Sequence, residues 1–165
     1  MSNMDDFKLT TLMATKRIKT ECKELLQKKP IKNLELKTIK DNNYGLISFS
    51  LNDNQYCFKM NSNYPFDAPK LFINNLSHHD YLDLKTERFR KTFKYLFDMD
   101  CLCCNFELCQ NIWTIGYRMN YIIDRLNDMR QIKLDVARKI LADQIKDKYL
   151  ISDIDLDSWL FGHKL

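Results

Sequence analysis

The chain has 165 residues, of which 45% are hydrophobic and 29% charged, with a formal net charge of +4 at pH 7. A chain of this length buries roughly 70% of the surface it exposes when unfolded, so one hydrophobic core suffices without disulfides. Only Gly45, Gly116 and Gly162 are glycines, which excludes Walker loops and dinucleotide fingerprints, and the mild charge, concentrated only in "KTERFRKTFK" (85–94), excludes an obvious nucleic-acid binder.

The opening "MSNMDDFKLT" lacks a basic segment followed by an apolar run, and no stretch of roughly 18 apolar residues occurs, so a soluble, intracellular protein of the cytoplasm without membrane contact is expected. In that compartment the six cysteines are expected as thiols, metal ligands or nucleophiles rather than as disulfides.

Residues 7–27 place Ala14, Ile18, Cys22, Leu25 and Leu26 at helical spacing, with Lys16, Lys19, Lys23 and Glu24 outside that stripe. Pro30 stops this helix. Three alternating runs follow: Leu34, Leu36 and Thr38; Ile47, Phe49 and Leu51; Tyr56, Phe58 and Met60. They predict antiparallel strands with one buried face, joined through the turn-tolerant "KDNNYG" (40–45) and "NDN" (52–54). "NYPFDAP" (63–69), with Pro65 and Pro69, predicts an extended rigid corner before a fourth strand, "KLFIN" (70–74). His78 and His79 are expected in an exposed loop, with no acid or nucleophile near them in sequence.

Helical spacing returns in Phe89, Phe93, Leu96 and Phe97, again in Met119, Ile122, Ile123, Leu126 and Met129, and again in Val136, Ala137, Ile140, Leu141 and Ile145. The Phe89–Phe97 stripe is too apolar to be left in water and is expected to pack on the domain. In the tail, Trp159, Leu160 and Phe161 are expected to dock on the domain or to form a patch for a partner. The reading is α+β: a four-stranded antiparallel meander flanked by an N-terminal helix and C-terminal helices. One domain spans 1–165, with a core of 10–145, a helical insert at 81–100 before the cysteine-rich loop, and a tail from 146.

"YPFDAPKLFI" (64–73), the helix containing "RIKTECKEL" (17–25), and a Cys-Leu dipeptide followed by Trp113 and helices together resemble the ubiquitin-conjugating enzyme family over residues 10–145. The cysteine-rich form "CLCC", followed by a further cysteine and the tryptophan, looks like the divergent members found in large DNA viruses. The resemblance implies transfer of ubiquitin or a similar modifier through a cysteine thioester, with an activating enzyme and a ligase as partners and no cofactor. Three features depart from the family, one of them the extra segment at 81–100 that precedes the cysteines. The family's His-Pro-Asn tripeptide, whose asparagine would stabilise the oxyanion, is replaced near its expected place by His79-Asp80-Tyr81, and Thr114-Ile115 replaces Ser-Pro after the tryptophan.

The cluster "DCLCCNFELCQNIW" (100–113) holds four of the six cysteines. A thiolate suits acyl transfer, since it accepts the acyl group from another thioester at little cost and leaves readily when an amine attacks. Cys101 matches the Cys-Leu dipeptide, whereas Cys104 comes nearer to the family's distance from Trp113, and both are candidates for the nucleophile. Asp98 and Asp100 would raise the pKa of a neighbouring thiol by like-charge repulsion, or assist an incoming amine, or simply be solvated. Cys101 and Cys104 also have the C-x-x-C spacing of a zinc hook, to which Cys103 or Cys109 would add a third sulfur and His78 or His79 a fourth ligand. Adjacent Cys103 and Cys104 do not easily face one ion, and Cys103, Cys109, Cys22 and Cys57 also suit small buried apolar positions. The alternatives to an enzyme are therefore an inactive binding or scaffold module of the same fold and a zinc-stabilised interaction module.

Overall fold

The computed structural model describes residues 3–39, 44–103, 106–109 and 111–149. In chain order the elements are α1 (Asn3–Lys28), β1 (Lys32–Ile39), β2 (Tyr44–Leu51), β3 (Asn54–Met60), β4 (Lys70–Ile73), β5 (Leu76–Ser77), α2 (His78–Leu82), α3 (Glu87–Phe97) and α4 (Met119–Tyr149). No described helix is long and apolar enough to cross a membrane. The described residues form two compact units, one within Met1–Tyr81 and Cys103–Leu126, the other within Leu82–Leu102 and Asn127–Leu165.

The first unit is built on an antiparallel meander in the order β1-β2-β3-β4-β5. Alternation in the sequence becomes alternation in space: Ile47 pairs with Phe58, Phe49 with Tyr56, Phe58 with Leu71 and Tyr56 with Ile73, and all of these are buried. Each such side chain contributes on the order of 1.5–3 kcal/mol by leaving water. Two tight hairpins set the register. Asn52 and Asp53 join β2 to β3 with φ of 48° and 62°, and Asn74 and Asn75 join β4 to β5 with φ of 49° and 66°. Both turns need two residues in the left-handed region, which asparagine and aspartate tolerate. The Asn74 side chain ties the hairpins together, accepting from Gln55 N at 2.8 Å and donating to Asn54 Oδ1 at 2.9 Å.

Several expectations change. The meander has five strands rather than four, because Asn74-Asn75 folds the chain back into β5. Leu36, read as inward-facing, is 52% exposed, since β1 is an edge strand whose register shifts between Lys32 and Glu35, where Asn33 has φ of 54°. Residues 61–67 form a compact turn and not an extended corner: Phe66 N donates to Asn63 O at 2.7 Å, and the Asp67 carboxylate accepts from Asn61 Nδ2 at 2.7 Å and Asn63 Nδ2 at 3.3 Å. In α1, Leu25 is buried but Leu26 is exposed and Cys22 only half-buried, and Glu21 takes the inward position at 1% exposure. Residues 40–43 of the first turn lie outside the described residues.

In the second unit, α3 has defined ends. Thr86 Oγ1 accepts from Phe89 N at 3.2 Å at its start, and Asp98, in the left-handed region with φ of 51°, donates its N–H to Lys94 O at 2.9 Å at its end. Phe93 is 0% exposed and its ring centroid lies 5.3 Å from that of Phe97, while Phe89 is half-buried and Leu96 partly exposed. The stripe therefore buries one phenylalanine fully and shelters two. The two helical patterns after residue 119 belong to a single helix, α4, with Met129, Val136 and Ala142 buried within this unit. The Trp159-Leu160-Phe161 tail lies outside the described residues.

Candidate functional site

The two segments that carry the family resemblance meet in the first unit. Trp113 donates its Nε1–H to Pro65 O at 2.9 Å, and its ring lies 6.4 Å from Tyr64 and 6.0 Å from Tyr117. A half-buried tryptophan is stable here because its ring packs on aromatics while its one donor finds a carbonyl. Next to Tyr64 lies a part-buried ion pair. The Glu21 carboxylate accepts from Tyr64 Oη at 2.7 Å and from Met119 N at 2.9 Å, and it pairs with Arg17, whose Nη2 donates to Tyr117 O at 2.7 Å. Burial, and then the adjacent negative charge of Glu21, push the Tyr64 hydroxyl well above its ordinary pKa, so it stays a donor.

The segment ahead of Trp113 is a run of turns. Cys109 N donates to Phe106 O at 2.9 Å, and Cys109 O accepts from Ile112 N at 2.9 Å and Trp113 N at 3.0 Å. Phe106, Glu107 and Leu108 are all buried. Glu107 anchors this segment to the first turns of α4: its Oε1 accepts from Arg125 Nε at 2.6 Å and from Tyr121 Oη at 3.0 Å. A buried carboxylate is tolerable only with such charge-assisted donors.

The cysteines of the cluster do not share one setting. Cys101 is half-buried and belongs to the second unit, beside the fully buried Leu102. Cys103 and Cys109 are half-buried and belong to the first. Cys104 lies outside the described residues, and with it the second sulfur of the zinc hook. Among the described residues no three histidine, cysteine, aspartate or glutamate side chains are grouped to hold a metal ion. Asp100 is paired with Lys94 at 2.7 Å, whereas the exposed Asp98 ends α3 through its backbone N–H and not through its carboxylate.

Cys109 opens onto a feature that sequence reasoning missed, a cleft of about 910 Å³ within the first unit. Its apolar lining comes from Phe66, Pro69, Leu71, Phe72, Leu108 and Trp113, and its polar members include Lys70, His78, His79 and Asn111. The histidines are not an exposed loop, because β5 and α2 occupy that stretch. His78, the first residue of α2, is 7% exposed, with its ring 4.1 Å from His79 and 5.8 Å from Phe106, while His79 is exposed. Burial first, and then the neighbouring His79, lower the His78 pKa to about 4, against the opposing pull of the Leu71 backbone and Asp80. His78 is therefore neutral at pH 7.

The signal for Glu21 was present in the sequence: position 21 falls in the 14, 18, 21, 25 helical stripe, where a carboxylate marks a buried network. Nothing in the sequence set Glu107 or His78 apart from solvated neighbours. No family model, curated protein or solved structure matches the chain.

Proposed function

We propose that the chain is a ubiquitin-conjugating-like protein that carries ubiquitin or a ubiquitin-like modifier as a thioester on Cys101 or Cys104. The observation that carries this reading is the Trp113 Nε1–H bond to Pro65 O, which joins the Tyr-Pro-Phe segment to the tryptophan that follows the cysteines, on a sheet that follows a leading helix. The reaction needs little from the protein beyond a placed thiolate. That thiolate attacks the carbonyl carbon of the modifier's thioester on an activating enzyme; one C–S bond forms, the other breaks, and the activating enzyme's thiolate leaves. An acceptor amine then attacks the same carbon, loses a proton to water or to a nearby carboxylate, and releases the cysteine as thiolate.

Incubation with an activating enzyme, ATP and ubiquitin tests this, with a reductant-cleavable adduct as the expected product. A second reading, a module that binds a modifier or scaffolds a complex without transfer, is favoured by the stretch where the family carries its asparagine. Here that stretch starts α2, with His78 buried and neutral. Phe66 and Ile115, at 57% and 54% exposure beside the Pro65–Trp113 bond, offer apolar contacts to such a partner. A folded chain that retains a modifier without forming any adduct would support that reading instead.

A further inference from the structure

The C-terminal half of α4 is buried on one side only. Val136 and Ala142 are buried, whereas Leu134, Leu141 and Tyr149 are 44%, 53% and 61% exposed and Ile145 is half-buried. At about 100° per residue those four fall within about 80° of one another, which makes them one line along the helix. Its charged neighbours are cations. Exposed Arg138 and Lys148 stand within the line and exposed Arg130 stands at its start, while Asp143 and Asp147 lie on the opposite side of the helix. Arg138 engages Asp135 through Nη1, at 2.9 Å, and its side chain stays half exposed. Lys148 Nζ lies 5.2 Å from the centre of the Tyr149 ring and makes no ion pair with a described residue.

The sequence that follows α4 has the complementary pattern. In "SDIDLDSWLF" (152–161), Asp153, Asp155 and Asp157 alternate with Ile154 and Leu156, and Trp159, Leu160 and Phe161 close the run, which contains no Lys, Arg or His. Such alternation gives an extended segment one acidic side and one apolar side, the latter carrying Ile154, Leu156 and Leu160. The lengths agree. Over 134–149 the helix rises about 22 Å, and residues 154–160, if extended, span about 20 Å, with residues 150–153 left to turn the chain back. A short tether also gives this segment an effective concentration that a free partner rarely reaches. A second copy of the chain fits less well, because it would bring Arg130, Arg138 and Lys148 to both sides of the seam, like charge against like.

We infer that residues 154–160 lie back along α4, antiparallel to it, with Ile154, Leu156 and Leu160 on the line of Leu134, Leu141 and Tyr149, and with Asp153, Asp155 and Asp157 held by Lys148 and Arg138. The chain thereby covers its own apolar surface. This inference does not depend on any cysteine being a nucleophile.

The test uses the full chain, ¹³C-labelled at the methyl groups of leucine and isoleucine, and reads nuclear Overhauser contacts. Leu156 should contact Ile145 and Leu141, and Leu160 should contact Leu134. In a mixture of labelled and unlabelled chains, filtering for contacts between molecules should remove them all. Asp153→Lys, Asp155→Lys and Asp157→Lys made together should abolish the contacts, and the amides of 154–160 should then exchange about ten-fold faster than in the unaltered chain. Leu141→Ser, at an exposed position, should lose the Leu156 contact to that residue and shift the Leu156 methyl signals. Contacts that survive the filter would overturn the inference in favour of a second copy. Absence of any contact between the line and residues 154–160 in the unaltered chain would overturn it and leave the surface to another partner, and contacts unchanged in the triple lysine variant would overturn the pairing of aspartates with Lys148 and Arg138.

Discussion

The Tyr64 hydroxyl donates to the Glu21 carboxylate at 2.7 Å, across 43 positions of sequence, and the same carboxylate accepts the backbone N–H of Met119, the first residue of α4. One buried charge therefore holds α1, the Tyr-Pro-Phe turn and the start of α4 in register. The arrangement is favourable because unpaired amide donors at a helix start complement a carboxylate, and because Arg17 neutralises the charge.

Truncating that carboxylate is expected to be severe. Glu21→Ala would strand Arg17 and the Met119 amide, costing about 3–5 kcal/mol, whereas Tyr64→Phe removes one charge-assisted bond, costing about 1.5–3 kcal/mol. Denaturant midpoints of the two single variants and the double variant would measure this. The double variant should lose less than the sum of the singles, since both act on one network.

A second expectation concerns acid. His78 is held at about 4 in the fold against 6.5 for an ordinary histidine. Above 6.5 both states are neutral and the residue has no effect on pH dependence. As the pH falls below that value the unfolded chain takes up a proton that the fold refuses, so stability falls by at most about 1.4 kcal/mol per pH unit. The loss, about 3 kcal/mol in total, is complete once the pH passes below about 4. His78→Gln should remove this component, so the wild-type advantage over the variant shrinks between neutrality and about pH 4.5. A gap that stays constant over that range would show that His78 titrates normally.

For the second unit, Phe93→Ala should cost about 3–5 kcal/mol, because its ring is fully buried. Arg88→Glu, on the exposed face of α3, should change stability by less than about 0.5 kcal/mol. Hydrogen exchange checks the same point without mutation. The amides of residues 90–97 should exchange slowly, and exchange at unfolded-chain rates would contradict a packed α3.

How far the sequence revealed this molecule depends on which surfaces are buried. β2, β3 and β4 were legible because each buries one face, so that Ile47-Phe49-Leu51 and Tyr56-Phe58-Met60 had to alternate. β1 was legible as a strand but not in its orientation, since an edge strand leaves Leu36 open to water. β5 is too short for any alternation to show, although Asn74-Asn75 is a strong turn signal. α4 looked like two helices because its buried positions divide between the two units. The site was less legible than the fold. The resemblance drew attention to His79, but only packing against Phe106 shows that His78 is buried, and only the turns around Phe106 and Cys109 place Cys109 at the cleft.

The central claim, a modifier carried on Cys101 or Cys104, is tested most directly by trapping it as an ester. Cys101→Ser and Cys104→Ser chains are each incubated with an activating enzyme, ATP and ubiquitin, and the products are followed by mass with and without reductant. The unaltered chain should gain one ubiquitin mass that reductant removes. Of the two serine variants, one should keep that reductant-sensitive adduct, and the other should show either none or an oxygen ester that resists reductant. A reductant-sensitive adduct of the same yield on both variants, or its absence from the unaltered folded chain with ubiquitin and with each ubiquitin-like modifier supplied with its own activating enzyme, would contradict the account.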